Sequence, residues 1–140
     1  MVKVAIIFHQ AIQLGGWHWH KNLCISVDRS NNMSVFRMTE LAIQKLGRYP
    51  DRIEFIRSIH VVANDQIGQT PAKFDNLIEN IFKVVCGINV NKGKIYILAT
   101  YDPTQIQPII GLPFLVSSCI IPCHKIIPIK NYFRAQDEIF

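Results

Sequence analysis

The sequence predicts an α/β fold with a mainly parallel sheet, and two kinds of pattern carry this prediction. Four segments, at residues 2–8, 59–63, 94–100 and 125–130, are continuous apolar and β-branched runs. Such runs are typical of strands that are buried on both faces, as in parallel sheets. Two amphipathic stripes at helical spacing lie between the first three runs. This alternation of strand and helix indicates crossover connections and therefore an α/β architecture.

The first predicted helix carries an apolar face over residues 35–46. Gly47 and Pro50 follow it and favour a helix end there, because neither residue suits a helix interior. The last apolar run, residues 125–130, contains Pro128. Since proline has no N–H to donate to a neighbouring strand, this run is predicted to be short or to lie at a sheet edge.

The second predicted helix has the cleanest apolar stripe in the chain. Its members fall on one helical face: Phe74, Leu77, Ile78, Ile81, Phe82 and Val85. Thr70 is a candidate N-cap, Pro71 suits the first helical position, and Gly87 suits the C-terminal end. In parallel α/β sheets ligands bind at the carboxyl ends of the strands, so functional residues are expected directly after each strand.

Composition indicates a globular protein. The chain has 140 residues, of which 49% are hydrophobic and 18% charged, which is enough apolar material for a core and excludes disorder as the main state. No apolar run approaches the roughly 20 residues of a membrane-spanning helix, and no signal-peptide cleavage site follows the first run. A soluble, intracellular protein without a membrane partner is therefore expected. Its four cysteines then indicate buried thiols more than a disulfide framework.

The net charge of +5 favours an anionic partner such as a nucleic acid or a nucleotide, although ordinary basic domains have a similar balance. We interpret the Lys and Arg residues within 45–57 as a solvated helix face more than as a DNA track. Trp17 and Trp19 could stack on bases, but a packed position in the fold is the commoner place for tryptophan.

Polar side chains follow two of the predicted strands. Asp65 comes just after the run at 59–63, and a carboxylate at the tip of a buried strand suits Mg²⁺ on a nucleotide. Asp102 and Gln105 follow the run at 94–100, where an amide could bond a phosphate or a polarised water. Taken one at a time, these are weak signals, because many loops begin with aspartate and proline-rich turns use polar groups as caps.

Four segments in order resemble the first motor domain of the Pif family of DNA helicases, the RecD-like branch of superfamily one, and within it divergent members carried by mobile elements. Residues 14–20 (Leu-Gly-Gly-Trp-His-Trp-His) are similar to the family's Gly-Gly-x-Thr-x-His motif, which touches single-stranded DNA. Residues 61–69 resemble the Walker B segment, residues 99–109 resemble motif III (Gly-Asp-x-x-Gln-Leu-Pro-Pro), and residues 129–140 resemble motif IV. The resemblance implies a three-layer RecA-like domain over residues 1–140, incomplete at its N-terminus.

On the nucleotide side, the resemblance implies a role for each matching residue. Asp65 would hold the Mg²⁺ of ATP through water, with Asp102 nearby in the nucleotide site. Gln105 would sense the γ-phosphate and couple it to DNA. Arg134 would stabilise charge on the transferring phosphoryl group, as an arginine finger does. Gln66 stands where the family has its catalytic glutamate, which acts as general base.

On the DNA side, the resemblance implies a contact with single-stranded DNA. Gly15 and Gly16 would let strand and backbone approach closely. His18, which stands where the family has threonine, and His20 would lie on the DNA path. Lys21 is a further candidate phosphate contact.

Three departures from the family bear on activity. The phosphate-binding pattern G-x-x-x-x-G-K-[ST] has no match, since Gly87 to Gly93 is one residue too long and Lys94 is followed by Ile95. Gln66 cannot accept a proton, and loss of a general base costs about 10²–10⁴ in rate. The 140 residues contain no segment that resembles a second motor domain. We therefore expect a fragment of a helicase whose parent activity is ATP hydrolysis driving 5′-to-3′ movement and unwinding, inactive by itself.

Two other functions remain open. A degenerate, non-catalytic domain would bind nucleic acid or a protein partner. A metal- or redox-active domain would draw zinc ligands from His18 and His20 or from Cys119, Cys123 and His124, at a spacing unlike known fingers. Under the helicase hypothesis, the expected partners are single-stranded DNA and either the missing helicase domains or another protein. A nuclear location and a part in DNA repair or recombination are expected for a genomic or transposon helicase.

Overall fold

A computed structural model describes residues 2–5, 16–26, 32–64, 67–87 and 95–101, together with residues 111, 125 and 127. Its elements, in chain order, are β1 (Val2–Ala5), β2 (Trp17–His18), α1 (Trp19–Asn22), α2 (Val35–Leu46), α3 (Pro50–Arg57), β3 (Val61–Asn64), α4 (Ala72–Cys86) and β4 (Tyr96–Ala99). A short 3-10 helix, Ile67–Gln69, lies between β3 and α4.

The four strands form one sheet in the order β2-β1-β3-β4, and every pairing is parallel. Val62 of β3 is opposite Val2 of β1 on one side and Ile97 of β4 on the other. Helices α2 and α3 precede β3 in the chain, and α4 connects β3 to β4. The predicted α/β fold with a parallel sheet is therefore confirmed.

Helices α2 and α4 lie where the apolar stripes predict them. The Ser34 side chain accepts a hydrogen bond from the backbone N–H of Arg37 at 3.2 Å and so caps α2. Helix α4 ends at Gly87, which has a φ of 68° and so adopts the left-handed conformation that favours glycine. The start of α4 differs from the prediction, because Pro71 is the N-cap and the buried Thr70 hydroxyl has no hydrogen-bond partner among the described residues.

Four described elements are absent from the prediction: β2, α1, α3 and the 3-10 helix Ile67–Gln69. Pro50 does more than end α2: it begins α3, where its missing N–H costs no hydrogen bond and Asp51 follows in the first turn. Strand β2 has only two residues, too few for a strand pattern, and pairs with β1 through Val4 and Ala5. The predicted strand at 125–130 falls on residues of which only 125 and 127 are described.

Helix α4 lies at the centre of one hydrophobic core. All six residues of its predicted stripe are buried, and they pack with side chains from α1, α2, α3 and β3. The largest side chains that are fully buried are Leu23, Leu46, Ile56, Leu77, Ile81 and Phe82. The edge strand β4 turns Ile97 toward this core and leaves Tyr96 and Leu98 exposed.

The described helices pack with Val62 of β3 and Ile97 of β4 in one hydrophobic core, so a layer of helices covers the sheet there. In the part of the chain that the structure describes, no helix is long and apolar enough to cross a bilayer.

Candidate nucleic-acid interface at the carboxyl ends of the strands

The carboxyl ends of the four strands meet at one edge of the sheet. Asn64, the last residue of β3, is opposite Val4 of β1 and Ala99 of β4. His18, the last residue of β2, is opposite Ala5. Because all the strands are parallel, the segments that follow them start from the same edge, where α/β proteins bind their ligands.

Hydrogen bonds join the segments that follow β3 and β4. The Thr100 N–H donates to the Asn64 carbonyl at 3.1 Å, and the Ile67 N–H donates to the Thr100 carbonyl at 2.9 Å. A Cβ at Gly68 would lie 2.6 Å from a ring carbon of Tyr101, so a larger residue there would require the Tyr101 ring to move. The Walker B-like and motif III-like segments are thus anchored side by side.

The predicted site residues divide into two groups. Four are described: Gly16 directly precedes β2, His18 is its last residue, and His20 and Lys21 lie in α1. The rest lie outside the described residues: Gly15, Asp65, Gln66, Asp102, Gln105 and Arg134.

The His20 ring is held in a stack of three rings. Its centroid lies 4.6 Å from that of Phe74 in α4, with an interplanar angle of 27°. On the other side, the His18 ring lies 5.3 Å away, with an interplanar angle of 28°. This stack connects the Gly-Gly-x-x-x-His segment to the first turn of α4.

Burial against its neighbours, and secondarily the charge of His18, lowers the pKa of His20 from 6.5 to about 4. At neutral pH the His20 ring is therefore uncharged. It can donate or accept one hydrogen bond, but it cannot neutralise a phosphate. Because the folded protein binds this proton less tightly than the unfolded chain, the contribution of His20 to stability is lost as the pH falls from about 6.5 toward 4.

Removal of the Phe74 ring is expected to raise the pKa of His20 toward 6.5, because water then reaches the imidazole. The measurement is an NMR titration of the histidine ring protons in the wild type and in Phe74→Ala. Phe36→Ala, which removes a ring that is 72% exposed on α2, is the matched control and should leave the His20 midpoint near pH 4. A wild-type midpoint near 6.5 would show that His20 is hydrated and contradict the stack.

Both tryptophans are packed. Trp19 is buried, and its ring meets Phe82 edge to face with centroids 6.2 Å apart. Trp17 is half-buried, with its ring centroid 4.3 Å from that of Phe55. The packing interpretation is confirmed for Trp19, which has no exposed face for a base.

A small cavity of about 20 Å³ lies between the end of β3 and α4, near the volume that one water needs. Asn64 Oδ1 and Trp19 Nε1 are buried next to it and have no hydrogen-bond partner among the described residues.

Asp75 and Glu79 of α4 also line this cavity. Burial, and to a smaller extent repulsion from Glu79, raises the pKa of Asp75 from 3.8 to about 7. Sequence reasoning missed Asp75, because an acid in the first turn of a helix is ordinary.

The described residues contain no group of three side chains that could hold a metal ion. His18 and His20 are thus not part of such a group there, while Cys119, Cys123 and His124 lie outside the described residues. Asp65 is the proposed Mg²⁺ ligand by resemblance. It is the next residue in the sequence after Asn64, the last residue of β3. Asp65 itself lies outside the described residues; a carboxylate is a hard oxygen ligand of the kind that Mg²⁺ prefers.

The chain is similar in structure to the Pif1 helicase from Candida albicans, with a TM-score of 0.62 and 22% sequence identity over 78% of this chain. It has the fold of that part of the helicase. The chain spans 23% of the length of that helicase chain. No protein-family model matches the chain, and no curated protein matches it either.

Proposed function

We propose that residues 1–140 form part of a motor domain of a Pif-type DNA helicase, which binds single-stranded DNA and does not hydrolyse ATP by itself. One observation carries the proposal. The hydrogen bonds from Thr100 to Asn64 and from Ile67 to Thr100 hold the ends of two strands side by side. The proposed nucleotide-binding residues come next in the sequence after these strands. The similar fold of the Pif1 helicase supports it.

On the nucleotide side, Asp65 would hold the Mg²⁺ of ATP through water, and Asp102 would belong to the nucleotide site. Gln105 would sense the γ-phosphate, and Arg134 would stabilise the charge on the transferring phosphoryl group. ATP with its Mg²⁺ would supply the electrophilic phosphorus and its charge neutralisation. Gln66 could orient a water through its amide but could not take the proton from it. Without a general base and a phosphate-binding loop in this chain, turnover would need groups from elsewhere.

On the DNA side, Gly16, His18, His20 and Lys21 form the proposed contact. Lys21 is exposed and supplies a positive charge. His20, neutral at pH 7, would supply a hydrogen bond only. The contact would therefore combine backbone approach at Gly16 with one cation, so further positive charge is needed for firm binding.

Titration of the chain with a fluorescent oligothymidylate tests the DNA part. We expect binding at about 50 mM salt that weakens strongly at about 200 mM, because released counterions drive phosphate contacts. We also expect ATP hydrolysis at the level of a buffer blank. Magnesium-dependent hydrolysis that Asp65→Ala abolishes would contradict the inactivity, and the lack of DNA binding at low salt would contradict the DNA contact.

A second candidate function is a non-catalytic binding domain, which the amide at position 66 favours. The intact mass of the endogenous product, captured with an antibody, separates the two functions. A product near 16.1 kDa favours the binding domain. A product several-fold larger, with a phosphate-binding loop and a second motor domain, favours the helicase.

A further inference from the structure

A groove of about 450 Å³ lies between α1, the end of α2 and the start of α3. We call it the basic groove and define it by the six lining residues that the argument uses: Lys21, Cys24, Lys45, Arg48, Tyr49 and Arg52. It begins at Lys21, the last residue of the proposed DNA contact. The other three cations come from the segment that the sequence predicts to be only a solvated helix face.

The charge of the basic groove is of one sign. Four of its side chains are cationic, and no carboxylate lines it among the described residues. Elsewhere on α2, Arg37 pairs with Glu40 at 3.0 Å. Within the described part of the chain, no such ion pair neutralises the cations of the groove. Like charges brought together without a counter-charge cost stability, so an anion in the groove would relieve this repulsion.

Arg52 is held in place by three contacts. Its guanidinium lies over the Tyr49 ring, 4.7 Å from the centroid, in a cation–π contact. Its Nη1 donates to the Lys21 carbonyl and lies 3.2 Å from it, and the same nitrogen lies 3.2 Å from Cys24 Sγ. An arginine fixed in this way loses little side-chain entropy when it binds a phosphate.

The turn after α1 is shaped around this arginine. Cys24 has a φ of 55°, a left-handed conformation that is unfavourable for a residue other than glycine. The contact with Arg52 is one of the interactions that offset this cost. At the other end of the groove, Lys45 Nζ donates to Ser26 Oγ at 2.6 Å. Contacts with other residues therefore hold two of the four cations of the groove, Arg52 and Lys45, in place.

The form of the groove selects the ligand. Lys21, Lys45 and Arg48 are exposed, so the charges are distributed along an open surface. A single small anion needs enclosure, whereas a chain of phosphates matches cations distributed in this way. Tyr49 is 49% exposed and offers a ring face on which a base can stack.

We propose that the basic groove binds the phosphate backbone of a single-stranded nucleic acid, as a continuation of the contact at Lys21. This inference rests on the proposed function and deepens it, since it adds three cations from α2, the following turn and α3 to the DNA contact.

The test is the salt dependence of binding to an oligothymidylate of about 15 nucleotides, within the site sizes of single-strand binders. The variant is Lys45→Gln/Arg48→Gln, which changes two exposed side chains. A plot of log affinity against log salt has a negative slope, to which each phosphate contact with a single strand contributes about −0.7. Loss of two contacts should therefore make this slope less steep by about 1.4. The affinity at about 50 mM salt should fall at least about 10-fold.

The matched control is Arg37→Gln/Lys83→Gln, which also removes one arginine and one lysine but lies outside the groove. It should keep nearly the wild-type slope. Lys45→Arg/Arg48→Lys keeps the charge and should keep the wild-type affinity, which would show that these two positions contribute charge to binding. Equal losses in groove and control variants would overturn the basic groove alone, whereas no binding by the wild type would overturn the proposed DNA contact as well.

Discussion

Phe82→Ala is expected to lower the free energy of unfolding by about 3 to 5 kcal/mol, the usual cost of deleting a buried phenylalanine ring. Phe82 is 1% exposed, lies in the middle of α4 and meets the edge of Trp19. Its loss would leave a cavity between α4 and α1. Domains of this size have only about 5 to 15 kcal/mol of stability, so the variant would lose a large part of it.

Urea denaturation measures this effect, with Phe36→Ala as the matched control. Phe36 is 72% exposed on α2, and its removal should change the free energy of unfolding by less than about 0.5 kcal/mol. If the two variants unfolded at the same urea concentration, α4 would not be the centre of the core.

Asp75→Asn is expected to stabilise the protein above pH 7. The pKa of Asp75 is raised from 3.8 to about 7, so the folded protein binds this proton more tightly than the unfolded chain. Stability from the bound proton is therefore present at low pH and is lost as the pH rises from about 4 to about 7. Asparagine carries no proton to lose, so the advantage of the variant should grow over this range to about 2 to 4 kcal/mol.

Urea denaturation at pH 5 and at pH 8 measures the difference between the variant and the wild type, which cancels the opposite contribution of His20. Asp51→Asn, at an exposed acid in the first turn of α3, is the matched control and should retain the wild-type change between the two pH values. A variant with the same pH dependence as the wild type would show that Asp75 is hydrated and not buried at the cavity.

Local patterns predicted the elements that local forces determine. The stripe of α4 and its glycine end follow from the spacing of apolar residues and from the backbone freedom of Gly87. The three apolar runs lie at β1, β3 and β4, since apolar and β-branched residues favour strands. Burial on both faces does not hold for β4, where Tyr96 and Leu98 are exposed. Strand β2 could not be predicted, since two residues have no period and its existence depends on pairing with β1.

The site depends more on tertiary contacts. Arg52 reaches the Lys21 carbonyl across 31 residues of sequence, a contact that no local pattern contains. Pro50 ended one predicted helix, and the helix that it begins is the one that carries Arg52 to the groove. The pKa values of His20 and Asp75 likewise depend on burial, which the fold alone decides. The assignments of Asp65 and Gln105 stay predictions by resemblance.

The positions of the two tryptophans give the molecule a built-in optical label. The chain has two tryptophans, Trp17 and Trp19, and they flank His18 at the junction of β2 and α1. One indole reports on α3 through Phe55, and the other reports on α4 through Phe82. Tryptophan emission therefore originates entirely from the segment proposed to touch DNA. Quenching or a spectral shift on titration can be assigned to that segment without any added dye.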